Sequence, residues 1–480
     1  MTARTTPLWT PAELAEAVRG AASGRAPASI PGLSIDSRTV GPGEAFLALV
    51  GPNFDGHDYV GTALAQGAGL AIVAHRPAAL ADDVALILVD DTQSALERLG
   101  AFAFARARAK ARIVAVTGSV GKTSTKEALA HCLAAQGRTH WATGSFNNQW
   151  GVPLSLARMP RDTEFGVFEL GMNHAGEIRD LTVQVRPEVA IITTIEPAHL
   201  EYFSGIEAIA DAKAEIFEGM APDAVAILNR DNPMFGRLAA AARARNLRIV
   251  SFGEQVAADA RLVSVTLGAE ASEVEAVIAG RTIAYRLGVP GKHLVLNSLA
   301  VLAAVSAIGA DLDQAAAALG TLAGLAGRGK RIALAVPGGT ATLIDESYNA
   351  SPAAMRAAFA VLAAQRPAGN GRRIAVVGDM RELGTEGPAL HAALAAPLAA
   401  SGVDLVFACG PLMRHLFDAL PDALRGAYRE TAAELAPLVA GALGPGDIVT
   451  IKGSLGTRMA DIVKPLVSGT AFSKSQPVSC

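Results

Sequence analysis

Apolar residues gather in short unbroken blocks separated by longer stretches of helical periodicity. In the middle of the chain the blocks fall at 113–116, 166–170, 189–193, 224–228 and 248–252. Such blocks, alternating with helices, predict a parallel sheet covered on both faces. Between 262 and 287 the pattern changes to alternation, with Val263, Val265 and Leu267 followed by Val274, Ala276 and Ile278. That predicts a small antiparallel sheet appended to the central region. Upstream, 45–50, 70–73 and 85–89 read as short strands and 92–108 as a helix. Thr10-Pro11-Ala12-Glu13 has the form of a capping box with proline at the first helical position, opening a helix through Val18. Downstream, a helix over 293–308 leads into the glycine-rich 324–330, a hinge signal. Strands at 342–344, 373–377, 405–409 and 448–451 then alternate with Ala-rich helices, and the tail after Ser468 is expected to fray. The pattern predicts an α/β protein of three units, at 1–110, 111–325 and 326–480, with no fixed-period repeat.

Composition agrees with this reading and removes several function classes. A chain of 480 residues suits three cores at roughly 150 residues each. The formal charge of −3 carries no basic footprint for nucleic acid. The one basic run, 106–112, is expected to end a helix, where cations suit the dipole. Cys132, Cys409 and Cys480 are too few and too scattered for a disulfide framework or a zinc site. No signal peptide is visible, and the apolar stretch after Asn297 is too short to span a bilayer. A soluble, cytoplasmic chain is expected.

The chemistry centres on 113–124. A β-branched strand runs into Gly118-Ser119-Val120-Gly121, and Lys122, Thr123 and Ser124 open a helix. Backbone N–H groups and a helix N-terminus can then cradle a phosphate, with lysine on the terminal phosphates and threonine on magnesium. Two residues separate the glycines where the general motif has four. Glu169 ends the next strand, at the edge where ligands bind in open α/β sheets, and is expected to coordinate metal. His199 follows a later strand end at the same edge. Lys213 shares a helix face with Ile209 and Phe217. The residues alone leave open whether it points inward or snorkels at the surface.

These segments resemble the Mur ligases, the family that builds the peptide stem of peptidoglycan precursors. The resemblance rests on the loop from Thr117 to Ser124, Glu169-Leu170-Gly171-Met172-Asn173, Pro197-Ala198-His199-Leu200-Glu201 and 213–217. It extends through Asn229-Arg230-Asp231-Asn232-Pro233, Gly291-Lys292-His293 with Asn297, Gly327-Arg328, 345–352, 377–384 and Lys452-Gly453-Ser454. It therefore covers the chain from Asp36 to Lys464. Within the family, 147–153 and 348–352 point to the member that adds D-alanyl-D-alanine. The Asp-Asn-Pro-Arg signature of the diaminopimelate-adding member is absent, since Asp231-Asn232-Pro233 continues with Met234.

The resemblance implies an ATP-dependent ligase that phosphorylates the carboxylate of a UDP-linked muramoyl-tripeptide and passes the acyl group to the dipeptide amine. Its fold would comprise a uridine-nucleotide domain, a central ATPase domain and a Rossmann-like domain for the dipeptide. The implied ATP site is Thr117, Gly118, Ser119, Val120, Gly121, Lys122, Thr123 and Ser124, with His293 and Asn297 at adenine, Asp345 near ribose and Arg328 near the γ-phosphate. Two magnesium ions are implied: one on Thr123 and Glu169, the other on His199 and a carbamylated Lys213. Lys122, Glu169, His199 and Lys213 carry the catalytic roles. Ser37, Arg38 and Asn53 are assigned to the uridine end, Asn147 and Asn148 to the muramoyl-peptide, and Asn349 and Ser351 to the dipeptide. Leu294, Ser351 and Leu455 depart from residues frequent in relatives. A monomer acting on small molecules is expected. The alternatives are a sister ligase adding diaminopimelate or glutamate, and a nucleotide-binding regulator without turnover.

Overall fold

The computed structural model describes residues 7–197 and 200–472. Three α/β units follow one another, each built on its own sheet.

The central sheet has nine strands. Their order is Arg281–Leu287, Ser272–Ile278, Ala260–Leu267, Arg248–Gly253, Val225–Asn229, Val189–Ile192, Arg112–Thr117, Phe165–Glu169 and Thr139–Trp141. From Arg248–Gly253 onward every pairing is parallel. The strand Arg112–Thr117 explains why: Val114 and Val116 enter the core under helices Lys122–Ala134 and Lys292–Ala307. Ile113 and Ala115 enter the core on the opposite face. A strand buried on both faces needs β-branched or small residues at every position, which is the block pattern of the sequence.

The alternating segment forms three antiparallel strands, as expected, but not as a separate sheet. Ala260–Leu267 pairs in parallel with Arg248–Gly253 through Phe252 and Gly253, so the trio extends the main sheet. Asp259 makes the join, accepting from the Ser251 N–H at 2.8 Å and the Ser251 hydroxyl at 2.6 Å.

The N-terminal unit has a five-stranded sheet in the order Ala21–Ser23, Leu86–Leu88, Leu70–Val73, Ala45–Leu47 and Leu33–Ser34. The block expected as one strand over 45–50 is broken. A tight bend, with Leu49 N–H on Leu47 C=O, diverts Val50–Gly51 into a separate hairpin with Phe54–Asp55. The capping box at Thr10 and Glu13 is present. Helix Thr92–Ala107 joins two cores: Leu96, Leu99 and Ala103 pack in the first unit, Phe104 and Ala107 in the second. The basic run 106–112 ends this helix only in part: the helix stops at Ala107, Arg108 caps it, and Arg112 opens the next strand, both arginines pairing with Glu188 at 3.0 and 2.7 Å.

The C-terminal sheet has six strands in the order Lys330–Val336, Gly339–Glu346, Ile448–Lys452, Arg373–Gly378, Leu405–Cys409 and Arg425–Arg429. The first pair is an antiparallel hairpin and the rest are parallel. The glycine-rich connection is a closed turn, in which the Arg328 and Lys330 N–H groups both donate to Leu325 C=O. Cys132 and Cys409 are buried free thiols whose pKa values burial pushes up to about 12. Cys480 lies outside the described residues, and among those described no helix is long and apolar enough to cross a membrane.

Candidate functional site

Strand order sets the position of the site. Arg112–Thr117 lies between Phe165–Glu169 and Val189–Ile192; the connection leaving it runs to one side of the sheet and that leaving Val189–Ile192 to the other, so a crevice opens at their C-terminal ends. Gly118 (φ 147°) and Gly121 (φ 83°) turn the chain there. A Cβ on Gly118 would lie 1.9 Å from Thr193 Oγ1, and one on Gly121 2.8 Å from Asn297 Nδ2. Thr193 Oγ1 donates to Val120 C=O at 2.6 Å, and Ser119 Oγ donates to Glu196 C=O at 2.9 Å. The segment that follows the neighbouring strand Val189–Ile192 thus clamps the loop. Lys122 Nζ curls back onto the carbonyls of Gly118 (2.8 Å) and Ser119 (3.4 Å). Desolvation lowers its pKa, opposed by the charge of Glu169.

Thr123 Oγ1 donates to one oxygen of buried Glu169 at 2.8 Å, and Asn147 Nδ2 donates to the other at 2.8 Å. Ser145 Oγ lies 3.4 Å from Thr123 Oγ1 and accepts from Arg328 at 3.2 Å. The Arg328 guanidinium stacks 4.2 Å over the Tyr348 ring. A hydroxyl beside a carboxylate at a phosphate-loop helix is a hard-oxygen donor pair that suits Mg2+.

Lys213 resolves the alternative left open by the sequence. It sits in helix Ile206–Ala214 with 1% exposure, pointing inward. Burial first, and repulsion from Lys122 second, hold its pKa well below the ordinary lysine value. His199 lies outside the described residues.

A cleft of about 720 Å³ runs from the phosphate loop to the C-terminal unit. Ser119 to Ser124, Asn147, Glu169, His293, Asn297, Arg328, Asn349 and Ser351 line it. Burial by its walls lowers the His293 pKa. Ser351 also caps helix Pro352–Ala363 through the Ala354 N–H. Other expected residues lie elsewhere. Thr117 and Gly118 form the base of the loop, and Asp345 sits behind the glycine-rich turn, all outside the cleft lining. There Asp345 accepts from the Gly327 N–H (2.8 Å) and the Ser347 hydroxyl (2.6 Å). Asn148 accepts from the Gly151 N–H at 2.9 Å at the start of a helix. Ser37, Arg38 and Asn53 belong to the N-terminal unit, where Arg38 pairs with Asp36 at 2.7 Å.

Sequence reading missed several lining residues. Ser145 and Thr193 have no motif of their own. Lys452, named in the sequence only within its motif, reaches Glu346 at 3.0 Å across neighbouring strands, a pairing visible only once the register is known. A second group of metal-ligand type, Asp55, His57 and His75, lies in the N-terminal unit. There His57 Nε2 accepts from the Ala74 N–H at 2.8 Å and Nδ1 meets Asp55 at 2.6 Å, so both ring nitrogens are engaged by the protein.

Comparison with known proteins agrees with this geometry. Residues 29–104 match the model of the Mur ligase family catalytic domain, 116–305 the Mur ligase middle domain, and 327–455 the Mur ligase glutamate ligase domain. The chain is 34% identical to the UDP-N-acetylmuramoyl-tripeptide–D-alanyl-D-alanine ligase of Rickettsia prowazekii, over 90% of this chain and 94% of that one. It is 37% identical to the ligase of the same name from Escherichia coli, over 79% and 81%. The crystal structure of MurF from Acinetobacter baumannii superposes with a TM-score of 0.82 at 32% identity, covering 96% of this chain and 99% of that one.

Proposed function

The chain belongs to the Mur ligase family, and from that premise we propose that it joins D-alanyl-D-alanine to UDP-N-acetylmuramoyl-tripeptide, converting ATP to ADP and phosphate. One observation carries the reading. The phosphate loop forms one wall of the cleft, and the C-terminal unit forms the other through Arg328, Tyr348, Ser351 and Lys452. A nucleotide held by the loop and an amine held by the C-terminal unit can meet in that space.

A carboxylate resists attack by an amine, so it must first gain a leaving group. A carboxylate oxygen of the tripeptide attacks the γ-phosphorus of ATP, and the bond to the β-phosphate oxygen breaks. The dipeptide amine then attacks the carbonyl carbon and loses a proton, and the carbon–oxygen bond to phosphate breaks. Lys122 would leave the loop carbonyls to neutralise the β- and γ-phosphates. Arg328, next to Ser145, would face the transferring phosphoryl group, and fixed charges of this kind act most strongly where water is excluded. Thr123 and Glu169 would hold Mg2+, which supplies charge neutralisation on the phosphates when bound.

Lys213 fits a carbamate. A lysine of depressed pKa presents a neutral amine to CO2. N–C bond formation with loss of one proton turns that neutral amine into a carbamate anion, which attracts Lys122 where an ammonium would repel it. With His199 it would hold a second Mg2+. His293 and Asn297 would contact adenine, and Asp345 would act near the ribose end by fixing the hinge. Ser37, Arg38 and Asn53 would take the uridine moiety, Asn147 and Asn148 the muramoyl-peptide, and Asn349 the dipeptide. The working units are 1–110, 111–325 and 326–480, in a cytoplasmic monomer acting on small molecules.

Trapping with hydroxylamine tests the acyl phosphate. Enzyme, ATP and UDP-muramoyl-tripeptide without the dipeptide should yield a hydroxamate. None should form without ATP, and equal yields with and without ATP would contradict the mechanism.

A further inference from the structure

Lys126 lies one turn beyond Lys122 on the phosphate-loop helix and is fully buried, outside the cleft lining. Its ammonium donates to the carbonyls of Ala142 and Gly144, the latter at 2.7 Å, and pairs with Glu127 at 2.8 Å. The other oxygen of Glu127 accepts from Trp141 Nε1 at 3.0 Å. All three ammonium protons therefore have acceptors. Burying a charge is unfavourable even when it is paired, and an apolar side chain of similar volume often serves stability as well or better. The position of Lys126 thus calls for a reason beyond packing.

That reason lies in what the ammonium grips. Both carbonyls belong to the loop that follows strand Thr139–Trp141, and this loop carries Ser145 and Asn147. Ser145 bridges Thr123 and Arg328, and Asn147 holds Glu169. Fixing Ala142 and Gly144 by their backbones sets where those two side chains stand relative to the phosphate loop. Side-chain ties to backbone carbonyls fix a loop without specifying its sequence.

We propose that Lys126 is a positioning residue for the UDP-linked substrate, coupling the nucleotide helix to the loop that receives it. The inference rests on the reading that Asn147 faces the muramoyl-peptide. It assigns Lys126 no contact with substrate or nucleotide.

Steady-state kinetics and ADP binding of Lys126→Met test it. The KM for UDP-muramoyl-tripeptide should rise roughly tenfold or more, the scale of losing charge-assisted hydrogen bonds. The ADP dissociation constant should stay within about twofold, because Lys122, Thr123 and the loop glycines are untouched. Glu127→Gln keeps an acceptor for Trp141 and removes the counter-charge and third acceptor of the ammonium, leaving its two carbonyl ties in place. It should raise the tripeptide KM by about threefold, and it carries the test if Lys126→Met fails to fold. A merely structural role predicts a lower melting temperature with both constants at wild-type values, and that result overturns the proposal. ADP affinity falling in parallel with tripeptide affinity overturns it too. Absence of tripeptide turnover in the wild type would instead overturn the ligase reading on which the proposal stands.

Discussion

Lys122 and Lys213 lie close enough to repel each other, and the fold tolerates this at a site that must bind phosphate. The depressed pKa of Lys213 has a pH signature. Between its folded pKa and the ordinary lysine value, the unfolded chain holds a proton that the folded chain does not. Unmodified protein should therefore gain stability as pH rises through that window, with the destabilisation complete below it. Urea denaturation at a series of pH values in CO2-free buffer should show this slope, and Lys213→Met should reduce it. An unchanged slope would mean that Lys213 is not the source. A second expectation concerns Gly121, whose φ of 83° and closeness to Asn297 exclude a side chain. Gly121→Ala should weaken ADP binding at least roughly tenfold, by strain of about 1–2 kcal/mol together with displacement of Asn297, as read by calorimetric titration. At this scale the loop was legible in the sequence because its chemistry is local backbone geometry. The burial of Lys213 was not, because a helix face shared with Ile209 and Phe217 does not say what covers it.

Among elements, the join between central and C-terminal units turns on Asp345. Its buried carboxylate ties the Gly327 N–H to Ser347 and fixes the turn that presents Arg328 to Ser145. Asp345→Ala leaves that N–H without its acceptor and should destabilise the protein by about 1–3 kcal/mol, measurable by urea unfolding. It should also raise the KM for ATP. Stability loss with ATP kinetics unchanged would confine Asp345 to a structural part. The sequence marked this turn as a hinge through its glycines but could not show that a carboxylate closes it, because the partners lie 18 residues apart. The same limit explains the central sheet. Alternation over 262–287 announced antiparallel strands, whereas their attachment to the main sheet depends on Asp259 and the register of Phe252. The bend at Leu49 likewise follows from one backbone hydrogen bond inside a continuous apolar run.

Across the whole molecule, the central and C-terminal units line one cleft, and the N-terminal unit contributes no residue to its lining. Repeated strand–helix alternation made the number of units readable. How they meet was not, because that depends on surfaces such as Trp9 on the Ala157 carbonyl and Arg158 on the Leu33 carbonyl, which tie the first unit to the second. Closure of the C-terminal unit over the phosphate loop would exclude water from the acyl phosphate. Arg328 is the side chain best placed to report it. Arg328→Ala should lower kcat roughly a hundredfold, the scale of removing one preorganised donor, with ADP affinity little changed. Equal losses in both would point to nucleotide binding alone.

In the proposed reaction the chain uses ATP to acylate D-alanyl-D-alanine and not another amine. This is tested most directly by following ADP release with UDP-muramoyl-tripeptide and each candidate acceptor in turn. Release should depend on D-alanyl-D-alanine and yield the pentapeptide nucleotide, with only background release for diaminopimelate or glutamate, whether offered with the tripeptide nucleotide or with their own UDP-linked acyl donors. Release with either of those but not with the dipeptide, or ATP binding with no acceptor-dependent release at all, would contradict it.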